Sequence, residues 1–270
     1  FKREPKTAVI TINGTDINTQ QVSASEFYIS DSKVITVANT NYLIGFATDN
    51  VKPGISVGGK KDKSYFLYDI TNGNLISNQG WSDTILKKVL GKGFLDLTIQ
   101  NVLTQDNNIY LIGECFKSES ALKEGASFEY DYTYNIGPGI VVKLDTAGQV
   151  KYESYLKYSD TYKNEAKRIA SFYPFLNNGK LNLLTTEKEY VLKEKKIVLG
   201  NKKIEARAVI LNTIDDTGDQ TIVPFWDSKV GGEDLIIDFA PTFTKQIDTT
   251  NFAIYGYGNL YHAFGKMTIN

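Results

Sequence analysis

The chain of 270 residues carries one histidine and one cysteine, and this limits the chemistry open to it. Activating a serine, cysteine or threonine nucleophile needs a base, most often histidine. His262 stands in GNLYHAFGK, and no Gly-x-Ser-x-Gly elbow occurs anywhere. It reads as a polar residue at a loop or strand end, and no catalytic residue is assigned. A histidine-based zinc site within one chain lacks its ligands. Cys115 ends the apolar run LIGECF. No helix end or histidine near it would lower its pKa, so it reads as a buried, inert thiol. Glycoside hydrolysis needs two carboxyl groups held across a cleft. Asp131, Asp160, Asp215, Asp216, Glu233 and Asp234 are available, but spacing pairs none of them, and they read as solvated loop and turn acids. Asp215-Asp216-Thr217-Gly218-Asp219 has the oxygen density that calcium favours. It lacks EF-hand spacing and a terminal bidentate glutamate. As a hairpin turn it calls for no metal, and the cofactor assignment is none.

Aromatic residues are the better lead toward a ligand. Trp81 opens Trp-Ser-Asp and Trp226 opens Trp-Asp-Ser. An exposed ring stacks on a sugar face while the small polar neighbours take hydroxyls. The competing reading is packing between repeats, because Tyr158-Ser159-Asp160 follows the same pattern and recurrence favours a structural role. Tyr130, Tyr132 and Tyr134 alternate with Asp131 and Thr133. In an extended segment that alternation places the three rings on one side. Tyrosine offers contact area with a hydrogen-bonding tip, and the alternative is a surface strand whose tyrosines pack on the sheet below.

These residues sit in a repeating frame. VITVANTNYLIG (34–45) and VLTQDNNIYLIG (102–113) are apolar strands around an Asn/Asp turn, and both residue types tolerate the left-handed backbone of tight hairpins. FYPFLNNGKLNLLT (172–185) and FTKQIDTTNFAIYG (243–256) are looser copies. The intervals from Gly45 to Gly113, Thr185 and Gly256 are 68, 72 and 71 residues. A second hairpin keeps phase: YFLYDITNGNLI (65–76), IVVKLDTAGQV (140–150) and AVILNTIDDTGDQTIV (208–223), each with an Asp-to-Gly turn. Glycine supplies the positive φ there. Two hairpins per repeat make four antiparallel strands, as in a propeller blade.

The spacing therefore predicts an all-β chain: a β-propeller of four repeats of about seventy residues, in one domain spanning 1–270. The repeats run over roughly 23–85, 98–160, 168–228 and 235–270. The last is completed by TAVITINGTDINTQQV (7–22), so that the chain ends close the ring and remove free edges. A β-sandwich or two small all-β domains is the alternative. Inserts at 46–64, 114–139 and 186–207 separate the hairpins, and in a propeller they gather on one face, where binding loops sit. KIVLGNKKIEA (196–206) reads as a further hairpin, and EKEYVLKEKK (187–196) as a solvated hairpin or short helix.

Composition narrows the partners. Thirty Lys and Arg against 31 Asp and Glu leave a net charge of −1, without the basic surface that a phosphate backbone demands. The apolar runs are strand-length, so no membrane-spanning helix is expected. A lone cysteine forms no intramolecular disulfide. Thr-, Asn-, Ser- and Gly-rich turns with few thiols point to an extracytoplasmic protein, periplasmic, cell-surface or secreted. The start at Phe1 fits a trimmed or cleaved precursor.

IVVKLDTAGQVKY (140–152) and NNIYLIGECF (107–116) resemble hairpins of secreted bacterial repeat propellers, of the quinoprotein-like and kelch-like kinds. The full tryptophan-docking pattern of the first and the paired-glycine core of the second are absent. The resemblance implies a fold and no functional residue, since such folds host many functions. The expected function is a non-catalytic binding or scaffold protein that holds a glycan or protein on one loop-rich face. The alternative is a carbohydrate-active enzyme with paired carboxylates on that face.

Overall fold

A computed structural model describes residues 7–13, 16–22, 27–48, 63–90, 96–123, 125, 128–156, 160–163, 171–187, 196–199, 202–205, 208–227, 238–257 and 262–269. The fold is all-β and its strand pairs are antiparallel. Sheet I is the meander β3 (Tyr28–Val37), β4 (Thr40–Thr48), β5 (Ser64–Asp69) and β6 (Asn74–Gly80). Sheet II is β7 (Asp96–Gln105), β8 (Asn108–Leu122), β9 (Tyr130–Asp145) and β10 (Val150–Leu156), with β11 (Asp160–Lys163) also on β9. Sheet III is β12 (Tyr173–Asn177), β13 (Lys180–Glu187), β16 (Ala208–Ile214) and β17 (Gln220–Asp227). Between β13 and β16 lies the hairpin of β14 (Lys196–Leu199) and β15 (Lys202–Glu205), where the sequence predicts one. In sheet IV the central β20 (Asn251–Tyr257) pairs on one side with the short β18 (Asp238–Phe239) and β19 (Lys245–Gln246), and on the other with β21 (His262–Thr268). Each of the first three repeats thus folds as the four-stranded meander its two hairpins predict.

The turns explain why. Asp145 Oδ1 accepts from the amides of Ala147 (3.0 Å) and Gln149 (2.9 Å). Asp215 Oδ1 does the same for Thr217 (2.9 Å) and Asp219 (3.0 Å), and Asp69 Oδ1 for Asn72 (2.8 Å). A carboxylate that satisfies its own turn's amides competes well against a longer strand. Gly73, Gly148 and Gly218 then take φ of 73°, 78° and 89°. At Gly148 a side chain is also excluded by space, because a Cβ would lie 2.8 Å from the Ser77 side chain.

The chain divides into two compact units, Phe1–Lys117 with Gly137–Lys157, and Ser118–Ile136 with Tyr158–Asn270. In the first, sheets I and II face each other across a core that includes Ile44, Phe46, Tyr65, Leu67, Ile109, Leu111, Ile140 and Val142. Their first strands are stitched together: Asp31 Oδ2 accepts from the Ile99 amide at 2.7 Å, and Lys33 Nζ donates to Gln100 O at 3.1 Å. A short helix, α1 (Asp83–Lys88), adds Ile85, and Val89 follows at its C-cap. Ser82 caps it, with its hydroxyl accepting from the Ile85 amide at 3.5 Å.

The other face of sheet I is covered by β1 (Thr7–Asn13) and β2 (Asp16–Val22), whose Val9 and Val22 pack with Phe27, Leu43, Ala47, Phe66, Tyr68 and Ile70. Among the described residues, β1 and β2 pair with each other and β21 pairs with β20. The two ends of the chain do not share a sheet there. The apolar side of the N-terminal hairpin is already used against sheet I.

In the second unit, sheets III and IV bury Phe175, Leu184, Val209, Phe239, Phe252, Met267 and Ile269 together. No helix among the described residues is long and apolar enough to cross a membrane.

Candidate functional site

The second insert is mostly strand. β8 continues to Leu122 and β9 starts at Tyr130, so 114–139 forms an arm of two long strands where loops were expected. Alternating residue types from Lys117 onward suit a pleated strand with two different faces. The Lys123 amide donates to Glu129 O at 2.8 Å, and Lys123 Nζ meets Glu129 Oε2 at 3.0 Å, which closes the arm. β11 pairs along 133–136 of β9, and Thr161 Oγ1 donates to Asn135 Oδ1 at 2.9 Å.

On this support Tyr130, Tyr132 and Tyr134 share one face of β9, as their alternation predicts. Tyr130 is 51% and Tyr132 45% exposed, and Tyr134 is half-buried. The rings of Tyr132 and Tyr134 lie 6.4 Å apart and nearly parallel, at 14°. Phe128, 90% exposed, stands at the turn before them; its place in the surface was not anticipated. The pair therefore holds two aromatic rings in nearly the same orientation along the strand.

Trp81 corrects one expectation. It is buried at 5% exposure, with ring centroids 4.8 Å from Tyr65 and 5.8 Å from Phe46. A ring enclosed between two sheets offers no face to a sugar, so Trp81 is a packing residue, as its recurrence suggested. Beside it, the Tyr65 hydroxyl donates to Glu153 Oε1 at 2.8 Å, and the Ser82 amide donates to Glu153 Oε2 at 3.0 Å. Burial first, then the Glu153 carboxylate, hold the Tyr65 phenol well above its usual pKa range. Trp226 lies on β17 opposite Val209; its side chain lies outside the described residues.

Of the candidate carboxylates, the structure describes the side chains of Asp131, Asp215 and Asp216. Asp131 is on the arm, on the face opposite the tyrosines. Asp160 is on β11, with its side chain outside the described residues, as are Glu233 and Asp234. Asp216 is exposed in a turn. Asp215 Oδ1 serves its own turn, and hydrogen bonds from Thr217, Asp219 and Gly218 hold the carboxyl below the ordinary carboxylate range. Among the described residues no group of three or more His, Cys, Asp or Glu is placed to hold a metal ion. Cys115 is buried at 1% exposure in the core between sheets I and II.

A second aromatic group was not anticipated. Tyr255 on β20 and Phe264 on β21 are cross-strand partners, with rings 5.1 Å apart. Phe243, from the 3-10 turn Pro241–Phe243, meets Tyr255 at 5.4 Å in a T-shaped contact. His262 stacks on Tyr255 at 5.9 Å, and its Nδ1 is hydrogen-bonded to the Tyr255 hydroxyl. Alternation puts these residues opposite the buried Phe252 and Met267. In the sequence Tyr255 and Phe264 are indistinguishable from core residues, because an aromatic on a strand fits either face.

No protein-family model and no curated protein matches the chain. Among solved structures it is similar to a Trypanosoma rangeli sialidase in complex with sialic acid, at 12% identity. The match covers 99% of this chain and 50% of that one, with a TM-score of 0.24. The chain spans half the length of that protein, and a likeness that loose says nothing about activity.

Proposed function

We propose that the protein is a non-catalytic, extracytoplasmic binding protein whose ligand is a glycan held on the arm by Tyr130, Tyr132 and Tyr134. The observation that carries the reading is the near-parallel pair of the exposed Tyr132 and the half-buried Tyr134 on a strand braced by β11. Pyranose rings present flat C–H faces that stack on such rings, and equatorial hydroxyls reach the phenol tips. Tyrosine gives this contact at low entropic cost, having two side-chain torsions to fix. The four repeats are read as blades of the propeller type within one domain. Trp226 belongs to the proposed ligand surface only through its sequence pattern.

A thermal-shift screen of the whole chain against oligosaccharides tests this reading. A ligand that binds only the folded state adds about 2.7 kcal/mol of stability at a hundredfold excess over Kd. A sugar-specific shift that disappears in the triple variant Y130A/Y132A/Y134A supports the proposal. A shift that survives the triple variant moves the site elsewhere. A flat panel removes the glycan and leaves a protein partner as the next class to screen.

A further inference from the structure

We propose that Asn178, in the turn between β12 and β13, is a site of spontaneous deamidation in the folded chain, where its carboxamide is converted to a carboxylate. The sequence holds three Asn-Gly pairs, Asn13-Gly14, Asn72-Gly73 and Asn178-Gly179. In such a pair the asparagine carboxamide stands next to a backbone amide that no Cβ shields, and asparagine is a thermally labile residue. Gly14 lies outside the described residues. The other two pairs occupy hairpin turns, with Asn72 and Asn178 both exposed and Gly73 and Gly179 at φ of 73° and 78°. Access to water and the backbone of the glycine therefore do not separate them. Their hydrogen bonds do. At Asn72 both reacting groups are held by Asp69. Asn72 Nδ2 donates to Asp69 Oδ2 at 2.7 Å, and the Gly73 amide donates to Asp69 O at 2.9 Å. The Asn72 amide adds a third bond, to Asp69 Oδ1 at 2.8 Å. At Asn178 neither group is held: among the described residues no hydrogen bond engages its carboxamide or the Gly179 amide. The turn is closed by the pairing of Asn177 with Lys180. A Cβ placed on Gly179 would meet nothing within 4 Å, so the space around this turn is open.

The chemistry needs only water. The Gly179 nitrogen attacks Asn178 Cγ, and the new C–N bond closes a succinimide ring. The Cγ–Nδ2 bond breaks, and ammonia leaves with the proton given up by the Gly179 amide. Water then opens the ring. Attack at Cγ restores the original main chain, with an aspartate in place of the asparagine. Attack at the other carbonyl leaves an isoaspartate, whose main chain runs through Cβ and Cγ. One amide and one water become one carboxylic acid and one ammonia, and no electrons are exchanged. Either product adds a negative charge to a chain whose net charge is −1. The isoaspartate also lengthens the turn by one methylene. That turn joins the strands carrying Phe175 and Leu184, both in the core of the second unit. At Asn72 the same ring closure must first break the bonds to Asp69, which keeps that pair intact for longer.

Peptide mapping by mass spectrometry of the whole chain, kept in warm neutral buffer beside a sample unfolded in urea, provides the test. In urea the Asn72 and Asn178 pairs should convert at similar rates, because glycine follows both. In the folded chain Asn178 should keep most of that rate. Asn72 should fall at least ~10-fold behind it, the penalty of breaking a hydrogen bond to a charged group. Asn178→Gln keeps a carboxamide but would have to close a larger ring. It should lose the early gain of acid at this turn, with a melting curve that overlays the parent's. Equal rates at Asn72 and Asn178 in the folded chain overturn the proposal. So does an Asn178 that converts in urea and stays intact when folded. An undiminished early gain of charge in Asn178→Gln assigns the chemistry to another residue and overturns it equally.

Discussion

Trp81 and the tyrosines of the arm are both aromatic groups with small polar neighbours, and they meet opposite fates. The Trp81 ring is closed in by Tyr65 and Phe46 between two four-stranded sheets. Tyr130 and Tyr132 stand in solvent on strands that extend beyond the meander. An aromatic that recurs in three of the four repeats answers a need those repeats share, and at Trp81 that need is packing between two sheets. A residue run found in one repeat alone answers no such shared need. The contrast predicts that stability and binding separate cleanly between the two regions.

The largest effect is expected at the buried end. Trp81→Ala removes the ring that fills the space between Tyr65, Phe46 and α1, and a truncation of this size costs about 3–5 kcal/mol. At about 2–4 °C per kcal/mol for a chain of this length, the melting temperature falls by roughly 10 °C. Differential scanning calorimetry checks this. A shift within a degree of the parent chain would place Trp81 outside the load of the core and dissolve the contrast.

Glu153 offers a sharper version of the same test. Its carboxylate accepts from the buried Tyr65 hydroxyl and the Ser82 amide. Glu153→Ala strands the hydroxyl in the core, at a cost of about 1–3 kcal/mol. Tyr65→Phe removes the donor instead and leaves a partly exposed carboxylate that water can reach, so it should cost less. Chemical denaturation of both variants decides the order, and the reverse order would mean that the hydroxyl finds another partner.

How much of this was legible beforehand depends on whether a residue's neighbours are local. Asp69, Asp145 and Asp215 satisfy amides two to four residues away, and their Asp-to-Gly spacing announced the meanders of sheets I to III. The one-sided tyrosines followed from a period of two. The covering of each face was not legible. Val9 and Val22 carry the same alternation whether their strands complete a distant blade or fold as a hairpin over sheet I. Tyr255 and Phe264 look like Ile44 and Leu67 in pattern, yet Phe264 is exposed where Leu67 is fully buried. The arm was read as loop because its residues are mostly polar, yet a two-stranded ribbon in water has no buried face to reveal itself by.

The turns themselves predict an acid limb. Burial works to raise the pKa of Asp145, but Lys151 and the amides of Gln149 and Ala147 outweigh it and bring the carboxyl below its ordinary value. Asp248 is lowered chiefly by Asn251, with help from the Thr250 amide. A carboxyl whose folded pKa lies below its unfolded value of 3.8 stabilises the fold above that value. The contribution fades as the pH falls from there through the folded pKa. Denaturant midpoints should therefore hold steady from neutral pH to about 4 and decline below it. Asp145→Asn should flatten the decline, while the alanine variant of Tyr132 should leave its shape untouched. An equally steep decline in Asp145→Asn would remove this turn as its source.

The smallest effect on stability, and the largest on binding, is expected at the arm. Tyr130→Ala and Tyr132→Ala each give up strand preference worth at most about 1 kcal/mol, because about half of each residue stays in water on folding, and half-buried Tyr134→Ala costs somewhat more. Tyr132 should matter most to a ligand, since its ring is both exposed and stacked on Tyr134. Titration of each single variant with whichever oligosaccharide shifts the parent chain should rank Tyr132 first, with melting curves that overlay. If Tyr132→Ala lowers the melting temperature as Trp81→Ala does, the stripe is holding the arm together, and the division between a packing aromatic and a presenting one fails at the residue where it should be clearest.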